Sequence, residues 1–193
     1  MQDLKKIPHP KVNPYNADRK RIRWKFYDYS QSGTYYVTLC TLDRVCYFGE
    51  MENGDLTYFN AGSLAEAFLH LMSVFNPKVE ILNYVVMPDH IHLLLRIFND
   101  EADLRKFEEA HNMNSESHQK PIYRDTLSGI IGYYKSAISR ACHRQHIPMA
   151  WQKSFYDRVI RNVEEFDAIN KYINENRVHW GIERTINPMG WPL

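Results

Sequence analysis

The sequence predicts an α+β fold in which helices pack on an antiparallel β-sheet. Segments rich in β-branched and aromatic residues, which favour strands, are separated by longer segments whose apolar residues recur every three or four positions. The order along the chain is strand, hairpin, helix, two strands, helix, short strand, helix. Two of the strand connections are tight turns, which indicates antiparallel neighbours.

The strand segments are bounded by turn-forming residues. Asn53-Gly54-Asp55 is a typical hairpin turn, and Pro88-Asp89 separates two strongly apolar segments. The predicted strands are 34–41, about 46–51, 56–59, 79–87, 90–97 and 154–160.

The helices show apolar stripes and recognisable ends. The first is followed by Asn76-Pro77, and the second is closed by Pro148. Asn162 followed by Glu165 is a capping-box pattern that opens the last helix. The predicted helices span about 62–76, 125–146 and 163–176.

A chain of 193 residues predicts one domain with extensions. Residues 1–18 carry three prolines and indicate an extended arm, 19–180 forms the domain, and 181–193 is expected to be an irregular tail. Within the domain, the polar segment 99–123 is interpreted as an insertion or loop.

Composition narrows the class of protein without identifying a partner. The formal net charge is +1, so a nucleic-acid surface would have to be local. Three cysteines in no close pair argue against a disulfide framework. No segment approaches the roughly 18 apolar residues of a membrane helix, and the N-terminus lacks the apolar core of a signal peptide. We therefore expect a cytoplasmic protein with no membrane partner.

Two histidines stand two positions apart in the strand 90–97. Residues i and i+2 of a strand point to one face, so His90 and His92 present two imidazoles side by side, while Ile91 and Leu93 face the other way. Such a pair can bind one divalent ion. The alternative is a pair of hydrogen-bonded sheet histidines, and Leu94 on the same face favours it slightly.

Tyr172 and Asn176 lie one turn apart on the last helix. The apolar stripe of Phe166, Ile169 and Ile173 orients this helix against the sheet, so Tyr172 flanks the buried seam. A phenol there can reach a phosphate held on the sheet, and Asn176 can offer a carboxamide oxygen to the same ion. The alternative is an ordinary packing tyrosine and a helix-capping asparagine.

Cations and aromatic residues provide candidate DNA contacts. One basic segment includes a tryptophan, a combination that binds single strands by charge and stacking. It consists of Arg19, Lys20, Arg21, Arg23, Trp24 and Lys25. Lys135, Arg140 and Arg144 project from the second long helix and are either phosphate contacts or a solvated face. Trp151 and Phe155 either pack or stack on bases.

Two further residues near these motifs have open roles. Asp89 is interpreted as a turn residue rather than a metal ligand. Tyr133 is the second choice for a nucleophile, whereas its neighbour Tyr134 falls in the apolar stripe and is expected in the core.

Four segments together resemble one family. VVMPDHIHLLL at 85–95 resembles the histidine–hydrophobic–histidine motif of single-tyrosine HUH transposases. WQKSFYDRVIRN at 151–162 with YINEN at 172–176, and IIGYYKSAISR at 130–140, are similar to REP-associated tyrosine transposases. The ordered set is much more specific than any one motif. The family often has proline after the asparagine, where this chain has Arg177.

The resemblance implies a ferredoxin-like antiparallel sheet with helices packed on it, Mg²⁺ or Mn²⁺ as cofactor, and single-stranded, hairpin-containing DNA as partner. It assigns His90, His92 and Asn176 as metal ligands. It assigns Tyr172 as the nucleophile, which forms a 5′-phosphotyrosine and releases a 3′-hydroxyl during DNA transposition. Relatives include dimers and monomers, so both a homodimer and a monomer remain open.

Two other functions remain compatible with the sequence. A domesticated member would bind single-stranded or hairpin DNA without turnover. A metal-dependent phosphodiesterase would use water as the nucleophile. The four intact residues at the predicted site argue against binding alone.

Overall fold

The computed structural model describes residues 31–52, 54–98 and 126–186, together with Ala102, Arg105 and Glu109; the side chains at 179 and 181–186 are not described. The predicted arm, the basic segment 19–25 and almost all of the predicted insertion therefore lie outside the described residues.

The strands and helices of the described chain follow the predicted order. Both strands beside Pro88-Asp89 have the predicted bounds. In chain order the elements are β1 (Gly33–Cys40), a 3-10 turn (Leu42–Arg44), β2 (Gly49–Glu52), β3 (Asp55–Tyr58), α1 (Asn60–Phe75), β4 (Val79–Met87), β5 (His90–Ile97), α2 (Leu127–Arg144), β6 (Tyr156–Ile160) and α3 (Val163–Ile186).

Four strands form one antiparallel sheet in the order β4-β5-β1-β6, and β2 and β3 form a separate hairpin. The predicted α+β class with an antiparallel sheet is thus confirmed. The tight Pro88-Asp89 turn pairs Met87 with His90, and β1 then pairs Thr38 with His92. These registers place the histidines in the centre of the sheet, near one end.

Helices cover both faces of the sheet. On one face α1 and α2 pack against Ile91, Leu93 and Leu95, in the larger core. On the other, α3 packs through Ile169 and Ile173 in a smaller core. Because β5 is covered on both sides, its sequence is apolar almost throughout instead of alternating with polar residues.

The last helix is longer than the sequence predicted. It was expected to end near residue 176 and to be followed by an irregular tail from 181, but it continues to Ile186. A glycine such as Gly181 costs a helix only about 1 kcal/mol relative to alanine, so it does not end one.

Asn162 caps α3 as predicted, but the reciprocal bond of Glu165 reaches Arg161 and not the amide of Asn162. The Asn162 side-chain oxygen accepts a hydrogen bond from the Glu165 amide at 2.8 Å, and a Glu165 oxygen accepts from the Arg161 amide at 2.9 Å. These bonds satisfy amides at the helix start and fix where α3 leaves the sheet. No helix in the described part of the chain is long and apolar enough to cross a membrane.

Candidate metal centre and tyrosine

The two histidines of β5 lie side by side under α3. His90 is 1% exposed and His92 is fully buried. Their rings meet edge to face, and the two Nε2 atoms are 3.0 Å apart. The strand places both imidazoles on the face opposite Ile91 and Leu93, as its alternation requires.

His90 is oriented by the residue that precedes it. Its Nδ1 lies 2.7 Å from Oδ1 of Asp89, whose side chain is fully buried. A carboxylate only accepts hydrogen bonds, so Nδ1 carries a proton, and in the neutral ring Nε2 keeps its lone pair. The interpretation of Asp89 as only a turn residue was therefore incomplete, because its buried carboxylate also orients a histidine.

His92 has hydroxyl partners instead. Its Nδ1 lies 2.7 Å from Oη of Tyr36 and 3.0 Å from Oγ1 of Thr38, both on β1. Burial lowers the pKa of His92 well below its usual 6.5, and the nearby His90 and Arg44 lower it further. The ring is neutral at physiological pH, which is the form that binds metal ions.

Helix α3 completes the site from above. The Tyr172 hydroxyl lies 3.4 Å from Nε2 of His92, and their rings meet at 5.2 Å between centroids. Two turns further along, Trp180 stacks on the His90 ring at 5.9 Å. Asn176 lies between these two residues on the same helix face and is 1% exposed. The helix thus brings the Tyr172 phenol to His92 and the Trp180 ring to His90, and Asn176 lies between them on the same helix face.

The donors at this site fit a divalent ion. Two ligands that bind one ion at right angles at about 2.1 Å stand about 3.0 Å apart, which matches the Nε2 spacing. Among the described residues no three His, Cys, Asp or Glu side chains cluster. The third protein donor at the site would therefore be the Asn176 carboxamide. Asp89, bonded to the outer nitrogen of His90, is placed as an orienting partner, a common arrangement in metal sites.

The predicted DNA-binding residues of α2 lie on the opposite side of the sheet from the histidine pair, in the layer that α1 and α2 form. Lys135 donates hydrogen bonds from Nζ to the carbonyls of Gln152 and Ser154 at 2.8 and 2.9 Å. Burial lowers its pKa to about 8. Arg140 lies over the ring of Tyr133 at 5.7 Å, and Arg144 is exposed near the end of the same helix. The structure does not bring these cations to the histidine pair.

The aromatic residues that the sequence suggested for base stacking also lie on the α1–α2 side of the sheet. Trp151 packs against Phe48 and donates a hydrogen bond to the Lys135 carbonyl. Phe155 packs against the same core. Tyr133 lines a small apolar groove between α1 and α2, whereas Tyr134 is in the core as predicted.

Four residues at the site were missed from the sequence: Arg44, Tyr36, Thr38 and Trp180. Tyr36 and Thr38 are two apart in a strand, a pattern visible in the sequence, but their role depends on the pairing of β1 with β5. Trp180 lies four positions after Asn176, a spacing that would have indicated a shared face if the helix had been predicted at its full length.

Comparison with known proteins supports the fold. No protein-family model matches the sequence. An uncharacterized protein of Haemophilus influenzae is 27% identical over 170 residues, which cover 86% of this chain and 93% of that protein. A putative transposase from Deinococcus radiodurans aligns with 82% of this chain and 98% of its own at 18% identity, with a TM-score of 0.39, too low to indicate a common fold.

A second solved structure is more similar. It shows a REP-associated tyrosine transposase bound to a REP hairpin; it is 18% identical, and the alignment covers 80% of this chain and 72% of that one with a TM-score of 0.53. The chain therefore has the fold of a REP-associated tyrosine transposase, as its motifs predicted.

Proposed function

We propose that this protein cleaves and rejoins single-stranded DNA, with Tyr172 as the nucleophile and a divalent ion held by His90, His92 and Asn176. The observation that carries the proposal is the position of the Tyr172 hydroxyl, 3.4 Å from Nε2 of a buried, neutral histidine. A phenol beside two converging imidazole nitrogens is expected in a metal-assisted nucleophilic site.

The donor set supports Mn²⁺ more than Mg²⁺. Imidazole nitrogen suits transition-metal ions, whereas Mg²⁺ prefers oxygen ligands and retains most of its water. When bound, the ion supplies positive charge that polarises a phosphate oxygen of the DNA backbone. The chain itself supplies the ligand nitrogens from His90 and His92. Helix α3 supplies the attacking hydroxyl of Tyr172.

Cleavage would exchange one phosphoester bond for another. The Tyr172 oxygen forms a bond to phosphorus and loses its proton, while the bond from phosphorus to the 3′ oxygen breaks and that oxygen gains a proton. The products are a 5′-phosphotyrosine and a free 3′-hydroxyl. Because the ester bond is conserved, a second 3′ end can reverse the step without ATP.

Hairpin-containing DNA is the proposed substrate. The similar transposase structure holds a REP hairpin, and the same fold in this chain supports a substrate of that kind. The basic segment 19–25, which includes Trp24, is proposed to contact the strand, as cations and aromatic side chains commonly do.

A denaturing gel tests the proposal. Single-stranded oligonucleotides that carry hairpins are labelled on the fragment retained by the 5′-phosphotyrosine and incubated with the protein in Mn²⁺, with a chelator control. We expect a protein-linked label that requires the ion. Binding without cleavage would support a DNA-binding module, and cleavage without a protein-linked label would support hydrolysis by water.

A further inference from the structure

A short chain of charged groups runs from Arg44 through Asp89 to His90. Nε of Arg44 lies 3.0 Å from Oδ2 of Asp89, and Oδ1 of Asp89 lies 2.7 Å from Nδ1 of His90. Asp89 is fully buried, and Arg44 exposes 23% of its side chain. Oδ1 therefore faces the His90 ring, and Oδ2 forms an ion pair with the guanidinium.

The backbone around Arg44 is held against the turn that carries Asp89. The Thr41 amide donates to the Asp89 carbonyl at 3.0 Å, and the Phe48 amide donates to the Pro88 carbonyl at 2.9 Å. Arg44 itself has a positive φ of 57°, a conformation that is uncommon for a residue with a side chain. The segment 41–48 thus fixes the guanidinium relative to the turn.

Arg44 also approaches His90 directly, with Nη2 3.4 Å from Nδ1. Both the guanidinium and a protonated Nδ1 are donors, so this contact is not a hydrogen bond when Nδ1 carries its proton. The shorter, charge-assisted bond to Asp89 decides the tautomer of the ring.

We propose that Arg44 is a positioning residue: it holds Asp89 so that His90 keeps its proton on Nδ1 and presents the Nε2 lone pair to the bound ion. The use of that lone pair rests on the function proposed above, whereas the tautomer itself does not. Arginine suits this role because it donates hydrogen bonds and never accepts them.

The donor-only character of Arg44 makes one substitution informative. Asp89→Asn replaces two acceptor oxygens by one oxygen and one NH2 group. Arg44 will attract the oxygen, which leaves the NH2 group facing Nδ1 of His90. Nδ1 then has to accept a hydrogen bond, the proton moves to Nε2, and the nitrogen that faces the ion site loses its free lone pair.

The experiment compares four proteins by two measurements: wild type, Asp89→Asn, Arg44→Met and the double variant. Long-range ¹H–¹⁵N spectra of the metal-free proteins identify the protonated nitrogen of His90, whose signals are assigned by their loss in His90→Gln. Calorimetric titration with MnCl2 gives the metal affinity. Arg96→Met is the matched control, because Arg96 forms an ion pair with Glu80 on the same sheet, away from the histidines.

We expect the proton on Nδ1 in wild type and on Nε2 in Asp89→Asn, with Mn²⁺ affinity lowered about 10- to 100-fold, as is typical when an orienting partner is lost. Arg44→Met should lower the affinity less. The double variant should bind Mn²⁺ more tightly than Asp89→Asn alone, because the carboxamide oxygen can turn to His90 once Arg44 is absent. Arg96→Met should leave affinity and tautomer unchanged.

The role of Arg44 and the proposed metal-dependent function are contradicted by different results. A wild-type proton on Nε2, or a double variant no better than Asp89→Asn, would overturn the role of Arg44. If Asp89→Asn does not fold by circular dichroism, equal affinity in Arg44→Met and Arg96→Met would overturn it instead. If wild type shows the expected tautomer but binds no Mn²⁺, the proposed function fails while the tautomer assignment stands.

Discussion

The Tyr172 hydroxyl lies 3.4 Å from Nε2 of His92, although 80 positions separate the two residues. Their approach depends on the packing of α3 against the sheet through Ile169 and Ile173, both almost fully buried. Tyr172 flanks this seam and is only half-buried. The helix is therefore fixed by its apolar neighbours, and the phenol can face a substrate without supporting the fold.

Tyr172→Phe should abolish the protein–DNA adduct and leave DNA binding nearly unchanged. The ring that contacts His92 is kept, so loss of the hydroxyl should lower the free energy of unfolding by at most about 1 kcal/mol. Adduct formation is read on a denaturing gel and DNA binding by fluorescence anisotropy. Tyr156→Phe is the control, because Tyr156 is half-buried on the same layer, edge to face with Tyr36.

An adduct that persists in Tyr172→Phe would exclude this nucleophile. Tyr133, the second choice from the sequence, lines the groove between α1 and α2 on the other side of the sheet from the histidines. A nucleophilic role for Tyr133 would therefore require a site distinct from the one described here.

Asn176→Ala should weaken Mn²⁺ binding, with less effect than His90→Ala, because it removes a neutral oxygen donor rather than an imidazole. Cleavage by Asn176→Ala should recover as the Mn²⁺ concentration is raised. Asn174→Ala is the control: Asn174 lies on the same helix but is exposed and bonds to Asn83 of β4. Calorimetric Mn²⁺ affinities that are the same in Asn174→Ala and Asn176→Ala would remove Asn176 from the metal site.

The sheet and the histidine pair could be predicted because they depend on local signals. A tight Pro88-Asp89 turn between two apolar segments defines β4 and β5, and the spacing of His90 and His92 defines their shared face. The partners of these histidines could not be predicted in the same way. Arg44 contacts Asp89 only because the chain between β1 and β2 folds back over the turn, a relationship set by tertiary structure.

Lys135 shows a second limit of the sequence, because its position on a helix suggested that its charged group would face solvent or phosphate. Its ammonium group instead binds two carbonyls of the 152–154 segment and lies 5.4 Å from the Trp151 ring. A helical pattern identifies which face a residue lies on, but not which loop later covers that face.

Lys135→Met should therefore destabilise the protein without changing the salt dependence of DNA binding. Two hydrogen bonds to loop carbonyls are lost, which predicts a decrease in unfolding free energy of about 1–3 kcal/mol. Lys171→Met, at an exposed position on α3, should have little effect on stability. Urea unfolding and anisotropy at several salt concentrations test both parts, and a flatter salt slope for Lys135→Met would restore its DNA-binding role.

The stability contribution of Lys135 should also depend on pH. Burial lowers its folded pKa to about 8, whereas an unfolded lysine has a pKa of about 10.4. Between these values the unfolded chain binds more protons, so the pH-dependent part of the Lys135 contribution rises with pH, and this part is lost as pH falls through about 8. The difference in unfolding free energy between wild type and Lys135→Met should thus grow from pH 7.5 to 9.5, and a constant difference would contradict the depressed pKa.

Removal of residues 1–25 should reduce the salt dependence of DNA binding if the basic segment contacts the strand. For single strands, the logarithm of affinity falls with the logarithm of salt by about 0.7 per neutralised phosphate. The truncation removes eight cations, five of them in the basic segment, so the slope should flatten by several such increments, while the adduct assay at low salt still reports an intact site. An unchanged slope would assign the segment to another role.

Removal of the two hydroxyl groups beside His92 should have a non-additive effect on Mn²⁺ affinity. Because His90 Nε2 keeps its lone pair, the 3.0 Å contact between the two Nε2 atoms places the proton of metal-free His92 on Nε2, and Nδ1 accepts from Tyr36 or Thr38. Ion binding requires the opposite tautomer, in which Nδ1 donates. Hydroxyls can act as donor or acceptor, so these two residues can serve both states, which the carboxylate of Asp89 cannot do.

Tyr36→Phe and Thr38→Val should each lower Mn²⁺ affinity only slightly, because either hydroxyl alone can accept from Nδ1. The double variant leaves Nδ1 of a buried ring without both hydroxyls, so affinity should fall by much more than the two single effects combined. Tyr35→Phe is the control, since Tyr35 is equally buried but its hydroxyl donates to the Gln31 carbonyl. Calorimetric Mn²⁺ titration measures the cycle, and strictly additive losses would show that the two hydroxyls do not substitute for each other.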